Sequence, residues 1–243
     1  MWWNRTAILL AIIFDMLPAY GAGDGIVQLI RSDNQEVILE LSVAGFQAQP
    51  IEYDGTPYHR VTIPNFGLTT EVGHPQLPVR GEVIGVPEGA RPVLEILAAD
   101  FKVLSNYQIL PVPRPEVDEE GTLSASLRYT FARVESIYQQ DAFFPPEPVR
   151  VGFKGRMRDQ AVMQILFYPI QTNPVRREVR FYNRILVRVA FQSIDSGSMS
   201  DNFALNKPQV LPKAGTGQIP VKGHTYERIL ENMLLNYPAL GRR

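Results

Sequence analysis

The sequence predicts an all-β protein: a β-sandwich of jelly-roll or immunoglobulin-like type, followed by a flexible linker and one C-terminal amphipathic helix. Three observations lead there. After residue 25, apolar and polar residues alternate in short runs, the period-2 mark of half-buried strands. Turn formers fall between the runs, at Asp54-Gly55, Pro64-Asn65, Pro87-Glu88-Gly89 and Asn173-Pro174. A single stretch near the C-terminus repeats its apolar residues at helical spacing instead. Many short strands punctuated in this way pack as two facing sheets.

The elements follow in order. Arg5 gives a positive start, Ala7 to Phe14 a short apolar stretch, and Ala19-Tyr20-Gly21 small residues where a signal peptidase reads them. Residues 1–23 are therefore expected to be a signal peptide, with Gly21 the candidate processing residue. The eight apolar residues before Asp15 are too few to cross a bilayer, which takes about 20, so no stable membrane insertion is expected. Asp15 inside the apolar region leaves a buried N-terminal strand or helix as the alternative. The sandwich is assigned to residues 24–192.

Val37, Leu39, Leu41 and Val43 alternate with Glu36, Glu40 and Ser42, which describes a strand with one dry face. In Gly73-His74-Pro75-Gln76-Leu77-Pro78, two prolines three residues apart bar a helix and impose extended backbone, leading into the strand-like run Val79 to Val86. Val93 to Leu97 and Leu127 to Phe131 are shorter strand candidates. Ala161 to Tyr168 is apolar on both faces and fits a central strand. Ile185, Val187, Val189 and Phe191 alternate with Arg184 and Arg188 on an outer face.

Three stretches break the alternation. Pro111-Val112-Pro113-Arg114-Pro115 runs into Asp118-Glu119-Glu120-Gly121 and reads as a long, exposed, polyproline-like loop. Phe143-Phe144-Pro145-Pro146-Glu147-Pro148 presents aromatics held by prolines, an exposed contact patch if the chain is a binding module. Residues 193–223 are polar and rich in Ser, Gly and Pro, as in a mobile linker. Then Tyr226, Ile229, Leu230, Met233, Leu234 and Tyr237 trace one apolar stripe, with Thr225 as N-cap, Glu227 at the positive end and Pro238 as the stop. Such a helix either caps the sandwich or docks on a further domain beyond the segment 224–243.

Composition narrows the function. The 243 residues carry 24 Lys and Arg against 25 Asp and Glu, a net charge of −1, which gives no electrostatic case for nucleic acid. The absence of cysteine removes a disulfide scaffold, a thiolate nucleophile and thiolate metal sites together. His59, His74 and His224 lie far apart without metal-ligand spacing, and His74 reads as structural or solvent-facing. Asp118-Glu119-Glu120 lacks the glycine and asparagine pattern of a calcium loop and reads as solvated. There is no G-x-S-x-G and no glycine-rich phosphate loop. The chain is not expected to be an enzyme as it stands, nor to bind a metal or cofactor. Export without cysteines suits a bacterial envelope or extracellular protein.

Two basic features remain. Arg176, Arg180, Arg184 and Arg188 recur every four residues, forming either a stripe for an acidic partner or, as expected, the wet outer face of an edge hairpin. Gly241-Arg242-Arg243 follows the helix stop, and Arg242 and Arg243 are candidate processing residues because nicking concentrates at termini and loop tips.

The chain resembles the N-terminal propeptide of the gingipain-type, caspase-like secreted cysteine peptidases. The resemblance runs in order over residues 36–191 and 224–243. It is carried by Gly73-His74-Pro75-Gln76-Leu77-Pro78, by Phe143-Phe144-Pro145, by Val162 to Asn173-Pro174 leading to Val179-Arg180-Phe181-Tyr182, and by Tyr226-Glu227 with Leu235-Asn236-Tyr237. It implies a sandwich that inhibits its own catalytic domain, assists its folding during export and is removed by proteolysis. It also implies that a loop presents a basic residue to the enzyme's specificity pocket. The corresponding loop is Val112 to Arg128, without the family's motif around that residue, so Arg114 and Arg128 are both inhibitory candidates. Pro115 directly after Arg114 resists cleavage. The partner implied is a gingipain-like catalytic domain, in cis or in trans. A stand-alone extracellular binding module and a truncated peptidase gene product are the other classes open to this sequence.

Overall fold

The computed structural model describes residues 26–53, 55–116, 129–157, 160–193 and 224–240. The signal-peptide and linker assignments, Arg128, Gly21, Arg242 and Arg243 lie outside the described residues. In chain order the strands are β1 (Val27–Ser32), β2 (Glu36–Ser42), β3 (Gln47–Tyr53), β4 (Thr56–Thr62) and β5 (Gly67–Leu68). Then come β6 (Pro78–Val86), β7 (Ala90–Ser105), β8 (Arg114–Pro115) and β9 (Tyr129–Thr130), and a single helical turn, α1 (Glu135–Tyr138). They are followed by β10 (Val149–Met157), β11 (Gln160–Phe167), β12 (Ile170–Asn173), β13 (Glu178–Ser193) and α2 (His224–Met233), with a 3₁₀ turn at Tyr237–Leu240.

Two antiparallel sheets face each other. In the first, β13 is the spine: β2 and β12 share one of its edges, β7 pairs along the other, and β1 extends beyond β2. The second has the order β10-β11-β6-β5. The alternation seen in sequence sets what each sheet turns inward. Val37, Leu39 and Leu41 of β2 and Ile185, Val187 and Val189 of β13 are all fully buried. They meet Ile84 and Val86 of β6 and Met163, Ile165 and Phe167 of β11 in one core cluster. β11 is central, as its two apolar faces require: its inner face fills that core, and Val162 on its outer face lies under α2.

Several expectations need correction. The candidate at Val93 to Leu97 belongs to a strand of 16 residues, because β7 pairs with β13 from Ala90 to Ser105 across two register shifts. β13 lies inside the sheet, so its arginines are not on an edge hairpin. Each of the four instead meets a partner of its own. Arg184 lies 2.7 Å from Glu40 and 3.5 Å from Asp100, and Arg188 lies 2.9 Å from Glu95. Arg176 pairs with Asp141 at 2.7 Å, and Arg180 stands 3.7 Å over the Phe143 ring. The four arginines therefore do not form a free basic stripe. The exposed patch at Phe143 and Phe144 is also absent: Phe143 lies under that guanidinium, and Phe144 packs against the main core. The strand candidate Leu127 to Phe131 pairs only over Tyr129–Thr130 among the described residues.

The C-terminal helix caps the outer face of the second sheet. Leu230 and Leu234 are buried with Val162 and Tyr237 packs against them, whereas Ile229 and Met233 are exposed. α2 starts at His224, which places Thr225 within the first turn, and it ends at Met233; Pro238 sits in the 3₁₀ turn that follows. The Asn236 side chain then takes the free edge of β6: its Oδ1 accepts the Gly85 N–H at 2.7 Å, and its Nδ2 donates to the Gly85 carbonyl at 2.9 Å. The Leu240 side chain lies directly on Gly85, where a Cβ would overlap it. A short edge is closed here without a further strand.

Candidate functional site: a braced loop

Val112 and Val134, the two ends of the candidate loop, lie at neighbouring points on the sandwich. The incoming leg, Gln108 to Val112, runs between two extended segments. On one side, the His59 N–H of β4 donates to the Gln108 carbonyl at 2.6 Å, and the Leu110 N–H donates to the His59 carbonyl at 3.0 Å. On the other, Gln76 donates to the Leu110 carbonyl at 2.9 Å, and Val112 donates to the His74 carbonyl at 2.8 Å. With its backbone groups paired on both sides, this stretch is buried: Ile109, Leu110 and Val112 are at most 9% exposed. The prolines at 111 and 113 therefore do not open the loop; it begins only after Val112.

The outgoing leg is held by the same cassette. The Gly73 N–H donates to the Val112 carbonyl at 2.8 Å, and its carbonyl accepts the Val134 N–H at 2.9 Å. One residue thus bonds both legs. This explains the glycine: φ is +81°, and a Cβ would lie 3.0 Å from the Val134 side chain. Just beyond, the buried Tyr138 hydroxyl donates to the Ile109 carbonyl at 3.1 Å, tying α1 to the incoming leg. Burial pushes its phenol pKa well above the usual tyrosine range, so it remains a donor. Arg133 bonds Glu135 at 2.6 Å, and that hydrogen bond raises its pKa further.

The remaining sequence landmarks support this platform from behind. His74 contacts Glu71 at 2.8 Å and meets Phe144 edge to face at 5.6 Å. Phe144 and Thr172 exchange two backbone hydrogen bonds of 2.8 Å each. Gln171, buried in β12, accepts the Tyr182 hydroxyl at 2.6 Å and donates to the Pro145 carbonyl at 2.7 Å. Motifs scattered over more than a hundred residues of chain thus converge on the root of one loop, tied to it by the hydrogen bonds and ring contacts just named.

Above the root, β8 and β9 form a two-stranded ribbon with Arg114 opposite Thr130 and Pro115 opposite Tyr129. Arg114 is exposed at its base, as is Tyr129 at 57%. Arg128, the other candidate, lies outside the described residues, directly before β9. Among the described residues no three His, Asp or Glu side chains cluster as metal ligands, and no helix is long and apolar enough to cross a membrane. The clamp at Gly73 and the Tyr138 anchor had no local sequence signal, since each depends on a partner far along the chain.

Comparison with known proteins identifies the fold and the family. The profile of the Propeptide_C25 family matches residues 19–211. Lys-gingipain HG66 of Porphyromonas gingivalis is 28% identical over 149 residues, covering 60% of this chain and 8% of that protein. Gingipain R2 of Porphyromonas gingivalis (strain ATCC BAA-308 / W83) is 24% identical over 185 residues, 71% of this chain and 23% of that protein. The chain therefore spans less than a quarter of the length of these relatives. Among solved structures, the complex of Porphyromonas gingivalis RgpB pro- and mature domains superimposes with a TM-score of 0.66 at 18% identity, covering 89% of this chain and 100% of that one. The structure on zymogenic latency of gingipain K gives 0.55 at 22% identity, over 73% and 95% of the two chains. At these identities the superpositions establish a shared fold. The profile match spans most of the sequence, and the chain belongs to the gingipain-type C25 propeptide family.

Proposed function

We propose that this chain is the prodomain of a secreted bacterial gingipain-like cysteine endopeptidase, holding the catalytic domain inactive and assisting its folding until proteolysis removes it. The observation that carries this reading is the root at Gly73: one residue bonds both ends of the candidate loop, beside an exposed Arg114, on a platform whose backbone is bonded on both sides. Ends held in place before binding reduce the entropy lost when a segment enters a cleft, which is how preorganised inhibitors gain affinity. A guanidinium entering an acidic specificity pocket adds charge-assisted hydrogen bonds. Arg114 and Arg128 are the two candidates for that group, and Pro115 after Arg114 disfavours cleavage there. Arg242 and Arg243 are the candidate residues for release of the prodomain, and Gly21 for removal of the export signal.

The test is to purify residues 24–243 with the cognate catalytic domain and titrate its activity against a peptide substrate. Stoichiometric inhibition is expected, together with a higher yield of active enzyme when the catalytic domain refolds beside this chain. Full activity at saturating prodomain overturns the inhibitor role, and an unchanged refolding yield overturns the folding role.

A further inference from the structure

We propose that the tip of the β3–β4 hairpin is a brace for this loop, and that Tyr53 is a positioning residue acting through its stack on Phe131. The inference rests on the inhibitor reading above and deepens it by naming what aims the loop. The backbone clamps end at Val112 and Val134. Beyond them the β8–β9 ribbon shows two residue pairs among the described residues, a short ribbon to hold a direction on its own. Phe131, directly after β9, stacks on Tyr53 with ring centroids 4.4 Å apart and planes 20° from parallel. It also tilts against Tyr58 at 5.8 Å, a residue only 2% exposed and so rooted in the protein. Tyr53 sits in the last pair of the hairpin, opposite Thr56, at the far end from the sandwich contacts of Val61 and Ile63. β3 is exposed along nearly its whole length and, among the described residues, pairs with β4 alone. The hairpin therefore reaches out beside the ribbon and supplies an aromatic face against which it leans. Tyr53 itself is 42% exposed, so the ring bears on the ribbon without filling the core.

Loss of this stack should leave the sandwich intact and let the loop sample more directions. Apparent affinity then falls with the fraction of molecules in the binding-competent pose. For Tyr53→Ala, the inhibition constant against the cognate catalytic domain should rise about three- to tenfold, through slower association, with an unchanged melting temperature. Tyr53→Phe, which keeps the ring, should inhibit like the parent, and Phe131→Ala combined with Tyr53→Ala should be no worse than Phe131→Ala alone. Parent-like inhibition by Tyr53→Ala overturns the brace, as does a Phe variant as weak as the Ala one, which would make the hydroxyl the active group. A second readout needs no peptidase: amide hydrogen exchange over residues 129–133 should quicken in Tyr53→Ala. If the parent fails to inhibit, the prodomain reading falls while this exchange measurement still decides the brace; unchanged exchange overturns it.

Discussion

Gly73 and Val134 are in direct backbone contact: the glycine carbonyl accepts the valine N–H at 2.9 Å, and a Cβ on Gly73 would stand 3.0 Å from Val134 Cγ2. Because the Gly73 N–H also holds Val112, this contact fixes the spacing between the two ends of the loop. Gly73→Ala must relieve the contact and also adopt a φ of +81° with a side chain. A loss of about 1–3 kcal/mol in urea unfolding is expected, together with weaker inhibition. Parent-like stability would show that the clamp relaxes without strain.

Arg114→Ala and Arg128→Ala should behave differently. Truncating the guanidinium that enters the specificity pocket should weaken inhibition by roughly 30-fold or more, because it strands a buried acidic partner. The other substitution should be near neutral. If both variants inhibit like the parent, recognition lies elsewhere on the sandwich.

Deleting residues 224–243 should leave a folded β-sandwich by circular dichroism, since no fully buried residue of the main core comes from α2 or the 3₁₀ turn. The cost should appear at the β6 edge. Asn236→Ala strands the Gly85 N–H and carbonyl, and should lower stability by about 1–3 kcal/mol in the intact chain. Global unfolding of the truncated chain would make the helix a core element.

Acid should weaken the fold through two carboxylates. Backbone N–H bonds from Gln35 and Glu36 hold the Asp33 carboxyl below its ordinary 3.8, and Arg176 with Asn173 does the same for Asp141. As pH falls, the unfolded chain binds these protons first. Their stabilisation is therefore complete above about 3.8 and disappears as pH drops through the folded-state values. The double variant Asp33→Asn, Asp141→Asn should show a smaller loss of urea stability between neutral pH and about pH 2.5 than the parent. An identical loss in both proteins would place the acid sensitivity elsewhere.

The exported chain should begin near Ala22 to Asp24, where small residues follow the apolar run. N-terminal sequencing of the secreted protein checks this, and retention of Met1 to Phe14 contradicts it.

Where burial repeats along a strand, the sequence was readable. Leu39 and Leu41, or Val187 and Val189, announce their inward face because the pleat itself imposes the period. The length of β7 was not, since it is set by the 16 residues of β13 beside it, and its alternation slips at the bulges. Charge runs misled for a related reason. Arg184 and Arg188 look like solvent residues until the register brings Glu40 and Glu95 alongside. At the candidate site, the rigid turn at Gly73 to Pro78 was legible from its prolines. Its role was not, because Val112 and Val134 reach it only through tertiary structure. The same holds for Phe131 and Tyr53, two aromatics with nothing local to link them.

The shared root at Gly73 has a consequence for how such a protein can change. Two ends pinned as neighbours make everything between them a cartridge. Lengthening it adds only about 0.6 kcal/mol of closure entropy per doubling. Under the proposed inhibitor role, the segment that would meet a peptidase is thereby free to be rewritten for a different target, while the part that must fold keeps its own sequence. Swapping the segment between Val112 and Val134 for that of another propeptide should transfer its choice of enzyme without rebuilding the sandwich.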